Sequence, residues 1–122
     1  MQFILNGGMW ADASCDTPQW DVNDHLEKEG ITPVETDLGE YILQINNYEA
    51  PSHIIGPALH KSKEEVAELF HKAHGTPVKT GIEELCLEAR GVLRQHYLTA
   101  DMDISGGNFF VAESGSVVLV TN

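Results

Sequence analysis

The run Val117-Val-Leu-Val120 constrains the fold more than any other stretch, because four consecutive apolar residues, three of them β-branched, make a strand without a wet face. Such a strand is covered on both sides, as in a parallel sheet flanked by helices. Asn122 closes the sequence two residues later with no helix after it to act as a cover. The expectation is therefore a layered assembly that these residues build only in part. Just upstream, Ser105-Gly-Gly-Asn108 reads as a glycine-rich turn, and Glu113 reads as a semi-buried carboxylate placed directly before the enclosed strand.

A chain of 122 residues makes one domain and buries roughly two-thirds of its unfolded surface. Its 42% hydrophobic and 21% charged residues are ordinary for a globular protein. No apolar run approaches the roughly 20 residues that cross a bilayer. The opening Met-Gln-Phe-Ile-Leu-Asn-Gly-Gly-Met-Trp lacks the basic flank and apolar length of a secretory signal, so a cytoplasmic location is expected. A net charge of −12 opposes the phosphate neutralisation that nucleic-acid binding needs, and argues equally against an anionic membrane. Cys15 and Cys86 are too few and too far apart for a disulfide framework or a metal motif.

Along the chain, residues 1–20 form an arm of turns with one short strand at Phe3 to Leu5. A helix over 21–29 stops at Gly30, and Ile31 to Thr36 reads as a strand. Asp37-Leu-Gly-Glu40 has the spacing of a capping box and starts a helix over 38–46. Ser52 to Leu59, broken by Gly56-Pro57, fits a brief strand or a close-packed loop. Ser62-Lys-Glu-Glu65 and Thr80-Gly-Ile-Glu83 are two further capping boxes, each ahead of an amphipathic run. The first run places Val66, Leu69, Phe70 and Ala73 on one face and ends at Gly75. The second places Ile82, Leu85, Cys86, Ala89, Leu93 and Tyr97 together, with Arg90 and Arg94 toward the negative end of the helix dipole. Short strands are expected at Met102 to Ile104, Phe109 to Ala112 and Ser116 to Val120. The alternating order gives an α/β fold with a partly antiparallel edge.

Three segments carry a family resemblance: Glu35 to Ile42, Pro51 to His60, and Ile104 to Asn122. Together they resemble the LUD domain of the lactate-utilisation iron–sulfur proteins, over about residues 22–122. The resemblance implies a partial sugar-phosphate isomerase/CoA transferase-like sandwich, with helices packed on a mostly parallel sheet. It also implies a cytoplasmic system that oxidises L-lactate to pyruvate. Residues 1–20 lack a counterpart to the α/β portion that precedes these motifs in the family, and so form a divergent arm before a partial domain at 21–122. The cysteine-rich segments that hold clusters in longer members have no counterpart either, so no resident cofactor is expected.

The candidate ligand site gathers Asp37, Glu40, His60 and the Ser105, Gly106, Gly107, Asn108 turn, where glycine allows backbone N–H groups to approach an anion. The turn lacks the lysine of a P-loop, and a plain turn is the competing reading. Glu113, followed by a small residue and glycine, resembles the nucleophilic carboxylate segment of class I CoA transferases, and is the catalytic candidate if the chain is an acyl-transfer or sugar-phosphate-binding enzyme. A structural turn is its other reading. His53 and His60, seven apart, match no zinc motif, and no metal is expected. His71 and His74 complement the end of their helix; Cys86 reads as core. The leading expectation is a scaffold or ligand-binding module that forms homo-oligomers and meets lactate-utilisation complex subunits; the enzyme using Glu113 is the alternative.

Overall fold

Three short strands lie side by side in the order β2-β1-β3, all parallel. They are β1 (Gln2–Leu5), β2 (Thr32–Glu35) and β3 (Met102–Ile104). The chain is seen in a computed structural model that describes residues 1–5, 19–53, 56–104 and 107–120. Four helices separate the strands: α1 (Gln19–Lys28), α2 (Leu38–Ile45), α3 (Lys63–His74) and α4 (Ile82–Thr99). A hairpin of β4 (Phe109–Val111) and β5 (Ser116–Val118) follows, antiparallel and outside the three-stranded sheet. The expected α/β arrangement, mostly parallel with helices on the sheet, is present.

Successive strand residues point to opposite faces, so β2 reveals how the layers are arranged. Val34 joins the apolar cluster of Tyr41, Ile42, Ala67, Phe70, Leu85, Ala89 and Leu93, contributed by α2, α3 and α4. Its neighbour Glu35 points the other way and accepts a hydrogen bond from Asn23 Nδ2 of α1 at 3.0 Å. Helices therefore cover both faces. In β1, Phe3, Ile4 and Leu5 are all buried, which makes this the doubly covered strand.

The enclosure expected at Val117 to Val120 is thus corrected. Every described residue from 107 to 120 is exposed, Phe110 being 77% accessible and Leu119 56%. Antiparallel pairing satisfies the hairpin backbone, but no described helix lies over either of its faces. The strands are also shorter than expected, ending at Val111 and Val118.

Pro33 explains why β2 tolerates an edge position. Thr32 N and Thr36 N donate inward to Met1 O and Leu5 O, so Pro33 and Glu35 turn their backbone groups outward. A residue without an N–H fits such an edge. Gln44 of α2 completes it: its Oε1 accepts from Glu35 N at 2.9 Å, while its Nε2 donates to Pro33 O at 2.9 Å.

Local capping chemistry sets the helix boundaries. Ser62 and Glu65 form the expected reciprocal box at the start of α3. Gly30 and Gly75 take positive φ, +74° and +70°, where a Cβ would be strained, and they stop α1 and α3. The α4 box is displaced by one residue: Gly81 is the cap, and its N–H donates to Glu84 Oε2, so Thr80 and Glu83 do not form it. The buried face of α4 is correspondingly Leu85, Glu88, Ala89 and Leu93, leaving Ile82, Cys86 and Tyr97 exposed. On α3, Ala67 is buried and Ala73 exposed. At Asp37 the carboxylate accepts from Gly39 N at 2.9 Å, a simple side-chain cap, and Glu40 is buried within α2.

Two of the sequence motifs meet at Gly39. A Cβ there would lie 2.8 Å from Pro57 Cγ and 3.1 Å from Cδ, so glycine lets the loop containing Gly56-Pro57 close over the start of α2. Ser52 N and Oγ both donate to Pro57 O and tie Ser52 to that proline. Gly39→Ala is expected to destabilise the fold by about 1–3 kcal/mol through overpacking. Gly91→Ala, in open space on α4, is expected to add about 1 kcal/mol through helix propensity. Paired thermal melts check both; equal shifts in one direction would contradict the contact.

Candidate functional site at the sheet edge

Register aligns Leu5 with Glu35 on one side and with Ile104 on the other. The three strands therefore end together, and the segments that leave them start from one edge. In open α/β sheets ligands sit at the carboxyl ends of the strands, where successive connections run in opposite directions. Here β1 connects to β2 on one flank while β3 pairs on the other, which places that reversal at β1 and β3.

Thr36 caps the edge, giving its backbone N–H and hydroxyl to Leu5 O at 2.9 and 2.8 Å. Asp37 and Glu40 follow β2, Asp37 as the N-cap of α2 and Glu40 in its first turn. Gly107 and Asn108 follow β3; Ser105 and Gly106 lie outside the described residues. Asn108 is committed to the hairpin, donating its N–H to Val118 O and accepting Val120 N at Oδ1. A Cβ on Gly107 would fall 2.7 Å from Val117 Cγ1, so close packing already requires this glycine.

His60 and Glu113 lie on other elements. His60 Nε2 faces Glu49 Oε1 at 2.8 Å, and Lys61 Nζ reaches the second oxygen at 2.5 Å. The Lys61 and His60 contacts hold the Glu49 carboxyl below its usual range. Glu113 occupies the exposed turn between β4 and β5, not the semi-buried position expected of it. Cys86 is exposed on α4 rather than core, beside a groove of about 170 Å³ lined by Leu38, Ile42, Phe70 and Ile82 among others. Cys15 lies outside the described residues. Among the described residues no three His, Cys, Asp or Glu side chains are grouped as metal ligands.

Two buried polar clusters escaped the sequence reading. The first is the Asn23–Glu35 pair under the sheet edge, both side chains fully buried. The second centres on Glu88, whose Oε1 accepts from Thr76 Oγ1 at 2.5 Å and meets His74 Nδ1 at 2.8 Å, while Lys79 Nζ lies 2.9 Å from Oε2. Burial alone raises a carboxyl pKa; the bonds from Thr76, Lys79 and His74 outweigh it and hold Glu88 at about 2. An ionised Glu88 only accepts, so Nδ1 of His74 donates to it, while Nε2 on the other side of the ring lies 2.8 Å from Tyr41 Oη. Tyr41 in turn is raised by burial and by the Glu88 charge. His74 thus serves as a junction of α2, α3 and α4, beyond its expected service to a helix dipole. Its one early signal was a histidine and a glutamate on neighbouring amphipathic helices.

Parallel strands with helices on both faces, and segments leaving them at one strand edge, define an α/β class of domain. The LUD domain profile matches residues 10–122, and the chain belongs to that family. It is 53% identical over 106 residues to the lactate utilization protein B of Anoxybacillus flavithermus and to that of Geobacillus thermodenitrificans, and 50% identical to that of Bacillus subtilis. Each alignment covers 87% of this chain and 22% of the relative, so the chain spans about a fifth of the length of these proteins. No solved structure gives a significant match. The described residues contain no helix long and apolar enough to cross a membrane.

Proposed function

We propose that this LUD chain serves lactate utilisation in the cytoplasm as a scaffold and ligand-binding module without an iron–sulfur cluster of its own. Its ligand end is the carboxyl edge of the parallel sheet, and its assembly surface is the β4–β5 hairpin. The hairpin carries the reading. Register places Phe110 opposite Val117 and Phe109 opposite Val118, so both faces are apolar and both are exposed. Contiguous exposed apolar surface of this kind marks an association site, and a second copy or another lactate-utilisation subunit is the proposed cover. The absence of a cluster rests on donor chemistry: a four-iron cluster takes four thiolates, and the sequence has Cys15 and Cys86 alone. The acyl-transfer alternative draws no support from Glu113, whose exposed turn excludes no water.

Sedimentation of the purified chain is expected to show self-association that strengthens with salt, because screening relieves repulsion between copies of charge −12. Phe110→Ser with Val117→Ser is expected to return it to a monomer. A monodisperse wild-type monomer at both salt levels would refute the homo-oligomer. A thermal-shift screen with lactate, pyruvate, CoA esters and sugar phosphates tests the ligand end, since selective binding to the folded state raises apparent stability.

A further inference from the structure

Both arginines of the sequence, Arg90 and Arg94, lie one turn apart on the exposed face of α4. Among the described residues neither guanidinium has an ion pair or hydrogen bond. Their helical neighbours three and four residues away are Cys86, Leu87, Gly91, Leu93, Tyr97 and Leu98, with no carboxylate among them. Like charges at this spacing repel by a few tenths of a kcal/mol. The helix dipole does not account for Arg90, which stands nine residues before Thr99, or about 14 Å along the axis, while the dipole acts within the last turn. In a chain with nineteen acidic residues, a cationic pair with no carboxylate partner among the described residues needs another explanation.

The same two side chains border a cavity of about 390 Å³, whose other described walls are Leu93, Tyr97 and Leu98. The space is an open groove whose described lining comes from α4 alone. Tyr97 and Leu98 are large apolar groups left 49% and 68% accessible beside the guanidiniums. Guanidinium forks match the oxygens of a carboxylate or phosphate two at a time, and a phenol ring and leucines suit an apolar or planar body. We infer that this face of α4 is a binding site for a small oxyanion attached to an apolar group, with Arg90 and Arg94 clamping the oxyanion and Tyr97 and Leu98 packing on the body.

Calorimetric titration of the intact chain with phenyl phosphate, phenylacetate and inorganic phosphate tests the site. Phenyl phosphate or phenylacetate is expected to bind at least about tenfold more tightly than inorganic phosphate, and the tighter of the two identifies the oxyanion. Arg90→Gln and Arg94→Gln are each expected to weaken that binding about tenfold, and the double variant to abolish it. Tyr97→Ala should reduce the phenyl compound to the level of inorganic phosphate. The arginine side chains are exposed and unpaired, so thermal melts of their variants should match or slightly exceed wild type, which separates lost binding from lost folding. Undiminished binding in the double variant, equal binding of inorganic phosphate, or no binding of either phenyl compound at low-millimolar concentration would each overturn the inference.

Discussion

Glu88→Ala is expected to destabilise the chain by about 3 kcal/mol near neutral pH, because it leaves the donors of His74 and Thr76 without their acceptor and Lys79 without its counter-charge. Of these partners the His74 side chain is buried, at 7% accessible, while Lys79 is partly exposed. The loss has a pH signature. The folded pKa of Glu88 is depressed to about 2 from the usual 4.5, so its ionised form stabilises the fold above about pH 4.5 and the contribution disappears as pH falls toward 2. Wild type and variant should therefore differ most above pH 5 and converge in acid. Denaturant melts at several pH values measure this, and a gap that stayed constant down to pH 2 would show that the charge plays no part.

Phe70→Ala is expected to cost a similar amount, about 3–5 kcal/mol, by a different mechanism. Phe70 is 1% accessible at the centre of the cluster. Its ring meets Tyr41 edge-on at 6.4 Å and His74 at 4.9 Å between centroids. Truncation removes buried apolar area and opens a cavity, neither of which titrates, so the deficit should persist from neutral pH into acid. Because Phe70 and Glu88 share His74 as a neighbour, the double variant should deviate from additivity by about 0.5–3 kcal/mol. Strict additivity would mean that His74 does not couple the two.

How far each element could be read from sequence follows the range of the interactions that fix it. The Ser62–Glu65 box is settled within four residues and appears where expected. The α4 start is equally local, but Thr80-Gly-Ile-Glu83 and Gly81-Ile-Glu-Glu84 compete, and spacing alone does not choose between them. The order of helices and strands follows from periodicity, yet the buried faces of α3 and α4 are rotated from expectation, with Ala67 and Glu88 inward and Ala73 and Cys86 exposed. Glu88 carries a charge that only Lys79, His74 and Thr76 make tolerable, and those partners become visible only once two helices are docked. Asp37 and Glu40 stand at the start of α2 just after β2, with Asp37 as a simple cap rather than half of a reciprocal box. Asn108 and Gly107 proved to be tied to hairpin geometry. The apolar character of Val117 to Val120 was legible; its exposure was not, because that depends on which elements pack against it.

The Gln44 amide has a consequence for growth of the sheet. By taking up the outward groups of Pro33 and Glu35 it does the work of a neighbouring strand, so that flank offers no template to another chain. The opposite flank, at Met102–Ile104, has no described neighbour beyond β1. Enlargement of this layer is therefore directional: Asp101 N donates inward to Gln2 O, so Met102 and Ile104 carry the outward backbone groups, and Met102→Pro should hinder the docking of a strand there that a change at Pro33 would leave untouched.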